Sequence, residues 1–319
     1  MKVLLGILVA LIVLLLLAAA MVTQPFVGES APWAGPHAEP ARLEETVRAL
    51  VGLGNRHDEA GMAKTADYLH TKLKELGYEP VIQKYRLTAE QLKSTRRANE
   101  PELIGEYSNV LAQIGPQTPQ RIVVGAHYDV RRAYPGADDN GSGTAALLEL
   151  ARMLKARPPA MRVELAFYSN EERGHIGSTN APKEGVKEMF SLEMLGCFGE
   201  PQKFPAPGMA LLYPGVSDGI VIVARLDDFA LVRPVKRAIR GSGAVASSID
   251  APEAIPGIGN SDHDAYWRAG IPAVMITDTA WYRNPRYHTA KDTPETLNYQ
   301  KMALITDGVA AAVRDLSEN

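Results

Sequence analysis

Cysteine is almost absent: Cys197 is the single one in 319 residues. That excludes an internal disulfide and a zinc site built on thiolates, and within "SLEMLGCFG" the thiol reads as a small, inert apolar group. A dominant charge is absent too. The chain has 34 Lys and Arg against 37 Asp and Glu, a net charge of −3 with no basic block, so it carries no electrostatic footprint for nucleic acid. No internal repeat is apparent. The glycine-rich "NGSGTAALLEL" lacks the Lys that follows the glycine in a phosphate-binding loop and reads as a tight turn into a helix.

What is present is enough apolar residue, 46 % against 22 % charged, to bury one large α/β core. The longest apolar run lies outside that core. "MKVLLGILVALIVLLLLAAAMV" holds one Lys and then runs unbroken from Val3 to Val22, about the length that crosses a bilayer. Residues 1–23 are expected to be a membrane anchor, or a signal peptide if the small residues of "LAAAM" are cut. Lys2 on the short side predicts a cytoplasmic N-terminus with everything after Pro25 on the extracytoplasmic side; cleavage would instead give a secreted protein. Residues 24–40, rich in Pro, Gly and Ala, are expected to be a linker.

Residues 41–319 read as one domain. "ARLEETVRALVGL" and "GMAKTADYLHTKLKELGY" have helical apolar spacing, the second stopping at Gly77. Short apolar runs follow, among them "YSNVLAQIG", "RIVVGAHYD", "RVELAFYS", "VKEMFSLEML", "GIVIVARL" and "PAVMITD". Without clean alternation they suggest strands buried on both faces. With helical stretches between several of them, they predict a three-layer α/β/α fold on a mixed, largely parallel sheet. Residues 203–218 interrupt this rhythm as a loop insertion. "TPETLNYQKMALITDGVAAAVRDL" predicts a closing helix with Thr293 as N-cap and Pro294 at its first position.

Four of the apolar runs lead into residues able to bind metal: His127 with Asp129, Glu171 with Glu172, Glu193, and, after a loop, His288. In open α/β sheets ligands bind beyond the carboxyl ends of the strands, so a common rim is expected. Each has a plainer reading: His127 as a core histidine bonded to Asp129, the Glu pair as a solvated turn, His288 as an ordinary loop residue. Glu193 is different, because burying a lone carboxylate in "MFSLEMLG" is costly without a cation. "AYPGADDNGSG" adds Asp138 and Asp139 side by side. One carboxylate could cap the coming helix, whereas a second only repels unless something cationic compensates it. Carboxylates gathered from several strand ends repel one another when empty and suit two divalent cations when filled. Histidine and carboxylate ligands without cysteine are the set expected at catalytic zinc. Asp262, in "NSDHDAYW", is accounted for by capping of the helix that starts there with Ser261 and Asp264.

At these residues the sequence resembles the co-catalytic zinc aminopeptidase family, whose relatives include glutamate carboxypeptidases, glutaminyl cyclases and the transferrin receptor. The matching pieces are "GAHYD", "PGADDNGSG", "NEERG", "SLEMLG", "SDHDAYWRAGIPAVM" and "YHTAKDTPETL", in that order across residues 40–315. The resemblance implies two Zn2+ per chain, with His127 and Glu193 on one, Glu172 and His288 on the other, and Asp138 bridging. It implies Glu171 as general base and Asp129 behind His127, fixing its tautomer. It further implies Asp139 as a structural partner across a cis peptide between the two aspartates, and a supporting role for Asp262. Glu193 stands where better-known members carry Asp. The implied activity is hydrolysis of N-terminal peptide bonds, on substrates with a free N-terminus, by water held on paired metals. Trp281, Tyr282 and Tyr287 are candidates to line a side-chain pocket. Two other readings stay open: a glutaminyl cyclase-like single-zinc acyltransferase and a non-catalytic receptor-like homologue. The oligomeric state is not legible in the sequence.

Overall fold

The structure, a computed structural model, describes residues 2–95, 102–205, 207–213 and 218–318. Its strands are β1 (Val81–Tyr85), β2 (Tyr107–Ile114), β3 (Arg121–His127), β4 (Arg162–Tyr168), β5 (Val186–Glu193), β6 (Ile220–Ala224), β7 (Ala246–Asp250) and β8 (Ala273–Thr277). They form one sheet in the order β1-β2-β4-β3-β5-β8-β6-β7. In the middle β4, β3, β5 and β8 run parallel, while β2 and β6 pair antiparallel with β4 and β8. Every residue of β3 is buried, as befits a strand covered on both faces. This is the mixed, layered sheet that the apolar runs predict. The strand they miss is β7, "ASSID". It lies at the sheet edge, where a strand needs only one good apolar contact, here Ile249.

The helices are α1 (Lys2–Thr23), α2 (Pro40–Gly52), α3 (Glu59–Glu75), α4 (Ala89–Ser94), α5 (Gly141–Ala156), α6 (Ile176–Asn180), α7 (Phe229–Gly241), α8 (His263–Trp267) and α9 (Tyr299–Ser317). One sheet face packs against α2, α3, α5, α7 and α9 through a large apolar cluster that includes Leu43, Leu69, Leu150, Val235 and Val309. The opposite face carries a smaller cluster around Tyr168, Met189, Val223, Met275 and the α8 residues Tyr266 and Trp267. α1 is the N-terminal apolar helix, and none of its residues is buried.

Two expectations are corrected in this frame. The closing helix begins at Tyr299, not at Thr293. Pro294–Thr296 form a separate 3-10 turn, Leu297 returns to extended backbone at ψ 150°, and the Asn298 side chain accepts from the Lys301 N–H (3.0 Å) as the true N-cap. The break lets the Asn298 N–H donate to the Gly196 carbonyl (3.0 Å), tying this chain end to the loop after β5. Residues 24–39, read as a linker, have no regular structure but are bound along the domain. Trp33 is 3 % exposed. The Arg314 guanidinium donates to the carbonyls of Ala31 and Pro32, and the Ala38 N–H to Asp307. At its start, buried Lys236 donates to the carbonyls of Thr23 and Gln24, and the Gln24 amide to Asp250. These bonds join the end of α1 to the β7 edge.

The helix that follows the two aspartates is central to what comes next. The Asn140 side chain caps α5 by accepting from the Gly143 N–H (3.1 Å) and donates to the Leu192 carbonyl (2.7 Å), which draws the start of α5 onto β5. A Cβ at Gly143 would lie 2.4 Å from that carbonyl oxygen. Gly143→Ala is therefore expected to destabilise the fold by about 1–3 kcal/mol through overpacking, seen as a lower urea midpoint at unchanged m-value.

Candidate metal centre

Because β3, β4, β5 and β8 are parallel, their carboxyl ends face one rim of the sheet. β3 ends in His127, β5 ends in Glu193, and the loop after β4 brings Glu171 and Glu172. The loop before α5 supplies Asp139, and the loop after β8 supplies His288. These side chains converge. His127 Nε2 lies 3.4 Å from Asp139 Oδ1 and 3.3 Å from Glu193 Oε2. His288 Nε2 lies 3.0 Å from Asp139 Oδ2 and 3.1 Å from Glu172 Oε1. Asp139 thus stands between two triads, one oxygen turned to each, and within each triad the ligand atoms lie within 4.8 Å of one another.

The expected bridging position of Asp138 is therefore corrected: the structure puts Asp139 there. Asp138 is fully buried but turned away, accepting from the Gly196 N–H (2.9 Å) and the Asn284 amide (2.7 Å). The backbone N–H groups of both aspartates donate to one carboxylate, Asp292, at 2.9 and 3.1 Å. That clamp fixes the loop while the two side chains point to different sides. The cis peptide is also displaced from expectation, joining Asp139 to Asn140 and not Asp138 to Asp139. Asp292 sits in the quoted "YHTAKDTPETL" but gave no signal of its role, since only the folded chain brings it under the aspartates.

Asp129 has a second task besides the one implied. Its carboxylate accepts from the backbone N–H groups of Glu171 (3.0 Å) and Glu172 (3.3 Å), locking the β4 loop to the end of β3. Facing His127 Nδ1 are the Asp129 backbone carbonyl at 3.2 Å and the Asp129 carboxylate at 3.6 Å. Both groups only accept, so Nδ1 carries a proton, and Nε2 is the nitrogen that would face a metal in the triad. Glu193 is oriented by Ser261, whose hydroxyl donates to Oε2 at 2.6 Å. Asp262 occupies the N-cap position of α8 without making a side-chain cap. It is fully buried, and burial together with the charge of Glu171 pushes it up to about 7.

The electrostatics show what the cluster needs. Burial, then the nearby Asp139, push Glu172 up to about 8, and burial pushes Glu193 up to about 7. Burial opposes a charged His288, yet Asp139 and Glu172 outweigh it and raise the imidazole to about 10. With protons as the only cations, the imidazoles must carry the neutralising charge. Divalent metal does so better. Tetrahedral ligands at about 2.0–2.2 Å from zinc sit about 3.3–3.6 Å apart, close to the separations within the triads. The residues present fit metal: His127, Asp139 and Glu193 for one ion, Asp139, Glu172 and His288 for a second.

Glu171 belongs to neither triad. Its Oε2 lies 3.8 Å from His127 Nε2, and its Oε1 lies 3.3 Å from His175 Nε2. His175 Nδ1 is 3.2 Å from Asp264, which pairs with Arg268 at 2.9 Å. His175 escaped the reading of the sequence, because its position depends on a left-handed backbone (φ 56°) and on a partner 89 residues away. Beyond the acids a cleft opens along the smaller apolar cluster, walled by Phe204, Tyr213, Ile249, Met275, Trp281 and Tyr282. Tyr287 also lines it, its ring stacked on that of His288 at 3.7 Å. Within the 203–218 insertion, residues 206 and 214–217 lie outside the described residues, and Phe204, Met209 and Tyr213 form cleft wall. The geometry separates the two aspartates in solution: Asp139→Ala is expected to abolish binding at both metal positions, whereas Asp138→Asn keeps the stoichiometry, read by metal analysis after zinc reconstitution. Equal loss in the two variants would return the bridging position to Asp138.

A model of peptidase family M28 matches residues 109–313. The chain is 39 % identical over 309 residues to the uncharacterized protein YfbL of Escherichia coli K12, covering 90 % of this chain and 91 % of that one. It is 29 % identical over 218 residues to leucine aminopeptidase 1 of Ajellomyces capsulatus, covering 62 % of this chain but only 53 % of that longer protein. Among solved structures, a zinc aminopeptidase from Bacillus subtilis superimposes with TM-score 0.67 at 17 % identity, over 88 % of this chain and 95 % of that one. A glutaminyl cyclase from Bacteroides thetaiotaomicron does so with TM-score 0.67 at 18 % identity, over 88 % and 99 %. At such identities these two establish the fold alone. The family match over most of the domain and the near end-to-end relative carry the assignment: the chain belongs to peptidase family M28.

Proposed function

We propose that the chain is a metallo-aminopeptidase working with two zinc ions and with Glu171 as general base. The observation that carries this reading is the pair of triads sharing Asp139, one buried and one partly exposed, with Glu171 beside them and an apolar cleft opening from the same place. Zinc held by the triads supplies positive charge that acidifies water and polarises the scissile carbonyl. Glu171 accepts the proton of the attacking water and returns it to the leaving amine, which regenerates the carboxylate. His175, backed by Asp264, is a positioning residue that holds the far oxygen of Glu171 and leaves the near one facing the triads. The cleft receives the side chain of the substrate's N-terminal residue. Walls such as Ile249, Met275 and Trp281 favour a large apolar group over a charged one.

The leucine aminopeptidases among the relatives support this reading. The glutaminyl cyclase fold is equally similar, so fold does not choose between them; two complete triads favour a two-metal peptidase, since a single-zinc enzyme uses only one. A receptor-like homologue has no use for an intact Glu171. The same reading keeps α1 as an uncleaved signal-anchor, since it is 22 residues long, apolar and unburied, with the domain on the extracytoplasmic side of the membrane.

Two measurements test the chemistry. Glu171→Gln is expected to lower turnover of aminoacyl amides by about 10²–10⁴ while the protein still binds its zinc; near-normal turnover would refute the assignment. His175→Leu is expected to lower kcat by about 10–100-fold with little change in KM. It should also move the acid limb of the pH profile to higher pH: burial opposes ionisation of Glu171, but His127 and His175 outweigh it and hold the carboxyl below its usual range. Loss of one of those cations lets Glu171 keep its proton to higher pH. A smaller kcat with an unmoved acid limb would mean that His175 serves only packing.

A further inference from the structure

Among the described residues outside α1, large apolar side chains are exposed at several places, and four of them lie on segments tied to the end of α1. Leu211 is 86 % exposed and Leu212 42 %, on the segment that walls the cleft with Phe204, Met209 and Tyr213. The hydroxyl of Tyr213 donates to the backbone carbonyl of Ser248 on β7 (2.9 Å), and the hydroxyl of Ser248 donates to the carbonyl of Thr23, the last residue of α1 (3.0 Å). Val22, one residue earlier, packs against the same apolar cluster as Phe204, Met209 and Ile255. The end of α1 and the cleft wall are thus two sides of one junction. Phe26, 92 % exposed, follows Gln24 at that junction. Leu226, 49 % exposed, lies three residues before Phe229, whose carbonyl accepts from the Gln24 amide.

We infer that this junction rests on the bilayer entered by α1, with Leu211, Leu212, Phe26 and Leu226 in its interfacial layer and the cleft wall held against the lipid surface. The inference rests on the reading of α1 as an uncleaved anchor, and continuity with α1 is what selects lipid as the occupant. A helix unburied along its length brings the membrane to its own end, and that end is bonded to Ser248, which also accepts from Tyr213, the neighbour of Leu212. Such a patch on a monomer otherwise marks a contact surface of unspecified kind. A bilayer matches its composition, because apolar side chains at the acyl boundary bury area without needing a shaped partner. The exposed apolar residue Val81, on the opposite edge strand β1, is separated from α1 by the whole width of the sheet and stays in water.

The test uses the full chain in vesicles of phosphatidylcholine and phosphatidylglycerol containing a doxyl-labelled lipid. Variants that each add one cysteine, Leu211→Cys and Val81→Cys, are labelled with an environment-sensitive fluorophore; the native Cys197 is buried and stays unlabelled. The label at 211 is expected to be quenched several-fold more strongly than the label at 81. Equal quenching at the two positions, in protein that resists extraction by alkaline wash, would overturn the lipid contact while leaving the anchor standing. Self-quenching at 211 that grows with protein density, without quenching by lipid, would overturn it in favour of a second copy of the chain. Extraction of the protein by alkaline wash would overturn the anchor reading, and the lipid contact with it.

Discussion

Carboxylates crowded together out of water are the constraint around which this molecule is organised. Asp139, Glu172 and Glu193 converge on two imidazoles at 3.0–3.4 Å, and Glu171 stands just behind. In a protein interior the repulsion among such groups is several times its value in water, and desolvation adds to the cost of each charge. Nothing in the apolar core offsets that. The cluster persists because rigid elements hold it from outside and because its ligand geometry suits cations.

The holding is done largely by backbone groups. Asp292 grips both N–H groups of the aspartate pair, Asp129 grips those of the glutamate pair, and Asn140 joins α5 to β5. In each case a side chain that never enters the cluster fixes the main chain from which a cluster member projects. Three consecutive residues, Asp138, Asp139 and Asn140, accordingly have three destinations: the loops after β5 and β8, the triads, and the cap of α5. Such precision needs close packing. Gly143 and Gly196 leave no room for a Cβ beside Leu192, Leu297 and Asp138.

How much of this could be read from the chain depends on how local the cause was. The central strands were legible because burial on both faces writes a continuous apolar run, as in "RIVVGAHYD"; β7 was not, because an edge strand has no such need. The convergence of His127, Glu172, Glu193 and His288 on one rim followed from a parallel sheet whose strand ends share a side. Which aspartate stands between the triads did not follow, since adjacent identical residues differ only in what lies 50 to 150 residues away: Gly196, Asn284 and Asp292. His175 was illegible for the same reason, its meaning residing in Asp264 and in a left-handed backbone that a sequence pattern does not display. The start of α9 was misjudged because Thr-Pro-Glu is a good local start signal, overruled when Asn298 is drawn to Gly196.

The clamp by Asp292 also orders events in time. His127, Asp139, Glu172 and Glu193 all precede His288 and Asp292 by about 100 residues or more, so the second triad and the grip on the aspartate loop are missing until synthesis has passed Asp292. Throughout that interval the nascent chain carries a half-built centre.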